Sequence, residues 1–100
     1  MRIAILGGTG QIGAVISREL QLKFSEAEIL SCSRSGKGVN GFSFNVYQKD
    51  WTVLGKLDVL INAVGIIEEK GENTFQKIHV GIVNKMVVER EKLGNPKIIH

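Results

Sequence analysis

Cysteine is almost missing from this sequence: Cys32 is the sole one in 100 residues. A disulfide within the chain is excluded, which fits a reducing compartment, and a cytoplasmic location is expected. Long apolar runs are missing too. The N-terminal run is short and ends in glycines, so no signal peptide is expected, and no stretch is long enough to span a bilayer. The 13 Lys and Arg residues form no cluster and are not interleaved with aromatics, which make up 6% of the chain. A nucleic-acid surface is therefore not supported. Internal repeats, low-complexity tracts and linkers are absent, and no metal-ligand set is assigned. What remains is the composition of one small globular domain, 43% apolar and 23% charged, with room for a modest core. The net charge of +3 suits a mildly basic surface or an anionic ligand.

Ile3-Ala4-Ile5-Leu6 runs straight into Gly7-Gly8-Thr9-Gly10-Gln11-Ile12-Gly13. An apolar run, a glycine-rich turn and a helical pattern follow one another. Gly7, Gly10 and Gly13 are spaced by three. The first allows a tight turn, the second lets a pyrophosphate approach the backbone, and the third lets the helix pack closely on the strand. The helix N-terminus then offers unpaired N–H groups to phosphate. This context points to a dinucleotide; strand–helix packing alone is the bland alternative.

Along the chain, Arg2 to Leu6 is the first strand, apolar on both faces as in a covered parallel sheet. A helix is predicted from Gln11 to about Phe24, with Ile12, Ile16, Leu20, Phe24 and Val15 on its inner face and Arg18 and Glu19 outside. Ile29 to Ser33 is the second strand. About 20 residues past the glycines, NAD-binding folds place a carboxylate on the ribose 2′-hydroxyl. Here Ser33-Arg34 stands instead, with Lys37 close behind. A guanidinium binds a 2′-phosphate bidentately where a carboxylate would repel it, so the pair points to NADP rather than NAD. The alternative for Arg34 is a solvated loop residue.

Phe42 to Val46 alternates as a short third strand. Asn45 and Val46 would end near an adenine, with a local turn role open for Asn45. Gln48 to Lys56 reads as a short helix turning Trp51 and Leu54 inward. Leu57 to Gly65 is a fourth, central strand and its exit, placing Ala63, Val64 and Gly65 where a ribose or nicotinamide would run. A long amphipathic helix is predicted from about Thr74 to Leu93, with Phe75, Ile78, Ile82 and Met86 as its stripe and Val83 and Val87 beside it. Gly94-Asn95-Pro96 stops it, and Lys97 to His100 begins a fifth strand. The alternation of elements predicts an α/β doubly wound parallel sheet, order 3-2-1-4-5, incomplete at the C-terminus, with the crevice at the carboxyl ends of the strands.

The glycine stretch, with Asn62-Ala63-Val64-Gly65 after strand four, resembles the extended and atypical short-chain dehydrogenase/reductases, a Rossmann family. Asp58 to Ile67, with Thr74-Phe75 and His79-Val80, is most similar to the branch containing the NADPH-binding accessory subunit of respiratory complex I. The resemblance implies that Gly7, Thr9, Gly10, Gln11, Ile12 and Gly13 line the pyrophosphate and that Arg34 holds the 2′-phosphate. It also implies that Ala63, Val64 and Gly65 lie at ribose and nicotinamide. His79 stands where many of these enzymes place a helix asparagine that supports a proton relay. The family's serine and Tyr-x-x-x-Lys pair would come after His100. Tyr47, the sole tyrosine, has no lysine four positions on. A reductase needs a proton donor as well as a cofactor. The chain is therefore expected to bind NADP without catalysing hydride transfer by itself, as a truncated piece of a longer dehydrogenase-like protein. A naturally short chain pairing its terminal edge strand in a homodimer is the rival account. Two further readings stay open: the cofactor half of an NADP-dependent reductase or epimerase, and a cofactor-free interaction or assembly module.

Overall fold

The computed structural model describes residues 1–7, 11–38, 40–46, 50–64 and 81–99. The elements are β1 (Arg2–Leu6), α1 (Gln11–Lys23), β2 (Glu28–Ser33), β3 (Gly41–Ser43), a 3₁₀ turn (Thr52–Leu54), β4 (Val59–Asn62), α2 (Ile82–Glu89), a second 3₁₀ turn (Glu91–Leu93) and β5 (Lys97–Ile99). All five strands are parallel, in the order β3-β2-β1-β4-β5. This is the order expected from the alternation of elements.

The continuous apolar sequence of β1 is explained by cover on both faces. Ile3 and Ile5 meet Ile29 and Ile61 on one face, beneath Ile16 and Leu20 of α1. Ala4 and Leu6 meet Leu30, Cys32 and Leu60 on the other, against Ile82 and Met86 of α2 with Phe44, Trp51, Leu54, Leu57 and Leu93. Each fully buried aliphatic side chain contributes about 1.5–3 kcal/mol, so these two clusters supply most of the drive to fold. At the amino ends of the strands Arg2 is a clamp. Its N–H donates to Asp58 Oδ2 at 2.7 Å and its guanidinium pairs with Glu28 at 3.0 Å.

Several expected boundaries and faces are corrected. The inner face of α1 is not Ile12-Ile16-Leu20-Phe24. Gly13 and Ser17 are buried, Ile16 and Leu20 are half-buried beside them, and Ile12, Val15 and Phe24 are exposed. The small residues permit the closest approach to the sheet and so fix which side turns inward. The third strand ends at Ser43 rather than Val46; Phe44 still donates its N–H to Ser33 O at 2.8 Å and buries its ring edge-on against Trp51, ring centres 5.4 Å apart. Among the described residues 50–56 only Thr52–Leu54 is helical, and Trp51 and Leu54 are buried as expected; Gln48 and Lys49 lie outside the described residues. The fourth strand is trimmed to Val59–Asn62. The Leu57 N–H is taken by Leu93 O and the Val64 N–H by the Asn62 side chain, so neither joins the sheet. The long helix is described from Gly81 onward and tightens into a 3₁₀ turn after Glu89. Ile82 and Met86 are buried and Val83 is half-buried, but Val87 is exposed. Phe75, Ile78, His79 and Tyr47 lie outside the described residues.

Glu89 is a buried carboxylate the hydrophobic pattern does not announce. It is 1% exposed, 3.3 Å from both Lys85 Nζ and Lys92 Nζ, and accepts the Trp51 backbone N–H at 3.4 Å. Burial works against its charge, but the hydrogen bonds and charges of the two lysines prevail and hold its pKa below the ordinary carboxylate range.

Candidate functional site: the carboxyl edge of the sheet

Parallel register sets Leu6 beside both Cys32 and Asn62, so the chain leaves three neighbouring strands at one level. Gly7 takes φ +78° and donates its N–H to Cys32 O at 3.0 Å. A Cβ there would lie 3.1 Å from Ala63 O, Val64 Cα and Val64 N. Glycine is required on both counts, the left-handed backbone and the close approach of the β4 exit. Ala63 N–H in turn donates to Leu6 O at 2.9 Å, and Asn62 Oδ1 accepts Val64 N–H at 3.1 Å in an Asx turn. The expected Gly7, Ala63 and Val64 are thus brought together.

After β2 the chain folds into a tied loop. Ser33 Oγ accepts Gly36 N–H at 3.0 Å, Ser43 Oγ donates to Arg34 O at 3.0 Å, and Lys37 N–H reaches Ser35 Oγ at 3.3 Å. Asn40, at φ +57°, offers its carbonyl to Ser31 N–H at 2.9 Å. Arg34 and Lys37 are exposed on this loop. Phe44 N–H donates to Ser33 O at 2.8 Å, which sets Asn45 and Val46 beside the loop's base. Asn45 is exposed, and Val46 and Val64 both pack against the α2-side core.

Of the remaining expected site residues, Ile12 is 70% exposed in the first turn of α1, and Gly13 is buried where the third glycine is needed for close packing. The first turn of α1 carries no acidic residue to oppose an anion. Thr9, Gly10, Gly65 and the side chain of Gln11 lie outside the described residues. Gly36, Asn40, Ser43 and Asn62 were not picked out from the sequence as site residues. Asn62, just before a strand exit, carried an Asx-turn signal; the others became visible only when the loop closed on β3. Cys32 is not a reactive thiol, since burial pushes its pKa up to about 12. An open pocket of about 420 Å³ lies at the opposite end of the sheet, lined by Met1, Lys23, Phe24, Ser25, Glu26 and Ala27. It shares no residue with the glycine turn. No group of three His, Cys, Asp or Glu residues is placed to hold a metal among the described residues, and no described helix is long and apolar enough to cross a membrane.

The architecture defines the chain as a doubly wound α/β domain with a five-stranded parallel sheet. No protein-family model matches the chain, and no curated protein matches it. Among solved structures it is similar to a protein from Burkholderia pseudomallei that carries a provisional label as exported, with a TM-score of 0.72 at 24% identity over 98% of this chain. The chain spans 46% of that protein's length. At this identity the likeness establishes the fold alone.

Proposed function

We propose that the chain is a dinucleotide-binding, Rossmann-type domain that selects NADP(H), from a protein of the atypical short-chain dehydrogenase-like kind, and that it does not turn the cofactor over by itself. The observation that carries this reading is Gly7. Its left-handed turn passes within contact distance of the β4 exit and leads towards α1, at the edge where β1, β2 and β4 end together. In doubly wound sheets that edge is where ligands bind. The Arg34 loop beside it supplies cations and no carboxylate, which favours a 2′-phosphate over a bare ribose.

Titration with NADPH and NADH, followed by Trp51 fluorescence and thermal shift, tests the reading. Ligand at a hundredfold excess over Kd stabilises by about 2.7 kcal/mol. Arg34→Glu is expected to weaken NADPH far more than NADH; equal losses reject the 2′-phosphate assignment. A second reading, an interaction module without cofactor, is favoured by one observation. Ile12, Val15, Leu22 and Phe24 expose apolar surface on the side of α1 away from the sheet and just past its end. A folded chain that binds neither dinucleotide would support it.

A further inference from the structure

We infer that Ser43 is a positioning residue for Arg34 and thereby sets the preference between a 2′-phosphate and a 2′-hydroxyl. The inference rests on the dinucleotide reading above. Arg34, Ser35, Lys37 and Gly38 are all exposed, so packing does little to hold this loop. Hydrogen bonds help to hold it instead, and one of them reaches the Arg34 backbone from β3: Ser43 Oγ donates to Arg34 O at 3.0 Å. Ser43 is fixed for that task by its register opposite Ser33. The loop also lies directly on Ser43, because a Cβ on Gly36, at φ +69°, would come within 2.9 Å of Ser43 N. Gly36 is in turn held by Ser33 Oγ at 3.0 Å. Fixing the Arg34 carbonyl fixes its peptide plane, and so the direction in which Cα projects the long side chain. A guanidinium that recognises phosphate through two parallel hydrogen bonds depends on that direction. A 2′-hydroxyl has no such requirement.

Calorimetric titration of the chain with 2′,5′-ADP and with 5′-ADP tests this, comparing Ser43→Ala, Ser43→Thr and Arg34→Ala with the parent. Ser43→Ala is expected to weaken 2′,5′-ADP roughly three- to tenfold, the range that one net hydrogen bond accounts for. Its effect on 5′-ADP should be small, and Ser43→Thr should keep the parent's preference. Amide exchange at Gly36 and Lys37 should quicken in Ser43→Ala while the melting temperature stays close to the parent's, since the position is exposed on a short edge strand. Equal losses for both ligands would mean general loosening and overturn the inference. A selective loss in Arg34→Ala with none in Ser43→Ala overturns the positioning role alone. If the parent binds neither ligand, or Arg34→Ala is unselective, the 2′-phosphate reading fails and the role of Ser43 falls with it.

Discussion

Gly7→Ala separates two physical costs that a glycine motif combines. The first is backbone strain, because Gly7 stands at φ +78°. A left-handed conformation costs a residue with a Cβ about 1–2 kcal/mol. Reduced freedom of the unfolded chain returns about 0.4–1 kcal/mol of that. The second cost is contact. The new methyl would lie 3.1 Å from Ala63 O, Val64 Cα and Val64 N. These are backbone atoms at a strand exit and cannot rotate away, so overpacking adds about 1–2 kcal/mol. The net loss is about 2 kcal/mol, which lowers the Tm of a domain of this size by about 8–16 °C. Gly38→Ala is the control. Gly38 has φ +94° but nothing within 4 Å of an added Cβ, so it carries the strain without the contact. Melting curves by circular dichroism should place Gly38→Ala between the parent and Gly7→Ala. Equal losses in the two variants would refute the contact argument, and a Gly7→Ala melting point within about 2 °C of the parent would refute both parts.

Two further predictions concern buried groups. Cys32 should resist thiol reagents at pH 8 in the folded chain and react at the ordinary rate once unfolded, because burial holds its pKa near 12. Its folded pKa is raised, so the associated stability is full below the ordinary value of 9.0 and is lost as pH climbs from there towards 12. Alkaline melts of the parent and of Cys32→Ala should therefore converge in slope only below that window. Glu89→Gln should destabilise by about 1–2 kcal/mol, since it removes the charge from the hydrogen bonds to Lys85 and Lys92, whose ammonium groups, 28% and 62% exposed, regain water. Glu89's folded pKa is lowered, so its contribution is present above the ordinary carboxylate value and disappears as pH falls through the lowered one. Acid titration followed by Trp51 emission should show that loss in the parent and not in Glu89→Gln; matching acid limbs would refute it.

What the sequence determined by itself is the list of elements and the place where they turn. Unbroken apolar runs such as Ile3 to Leu6 require cover on both faces, and that requirement leads to a parallel sheet with helices on each side. Gly7 and Gly94, both at positive φ, mark turns that residues with side chains adopt only under strain, and Pro96 follows the second as a stop. These signals delimit the elements, and the alternation of strand and helix gives the order 3-2-1-4-5. Only the tertiary structure decided which face of α1 turns inward. Periodicity reports where apolar residues repeat, but the depth of contact depends on volume, and the small Gly13 and Ser17 are what reach the sheet. It also decided that the Phe44 ring meets Trp51, that the Glu89 carboxylate is buried against the Trp51 backbone, and that Ser43 bonds the Arg34 carbonyl. Each of these joins different segments of the chain, through a hydrogen bond or a packed volume that no local pattern encodes; the lysines beside Glu89, by contrast, stand at local helical spacing. The carboxyl edge of the sheet divides the same way: its glycine turn is a property of the chain, and the hydrogen bonds that close the Arg34 loop on β3 are a property of the fold.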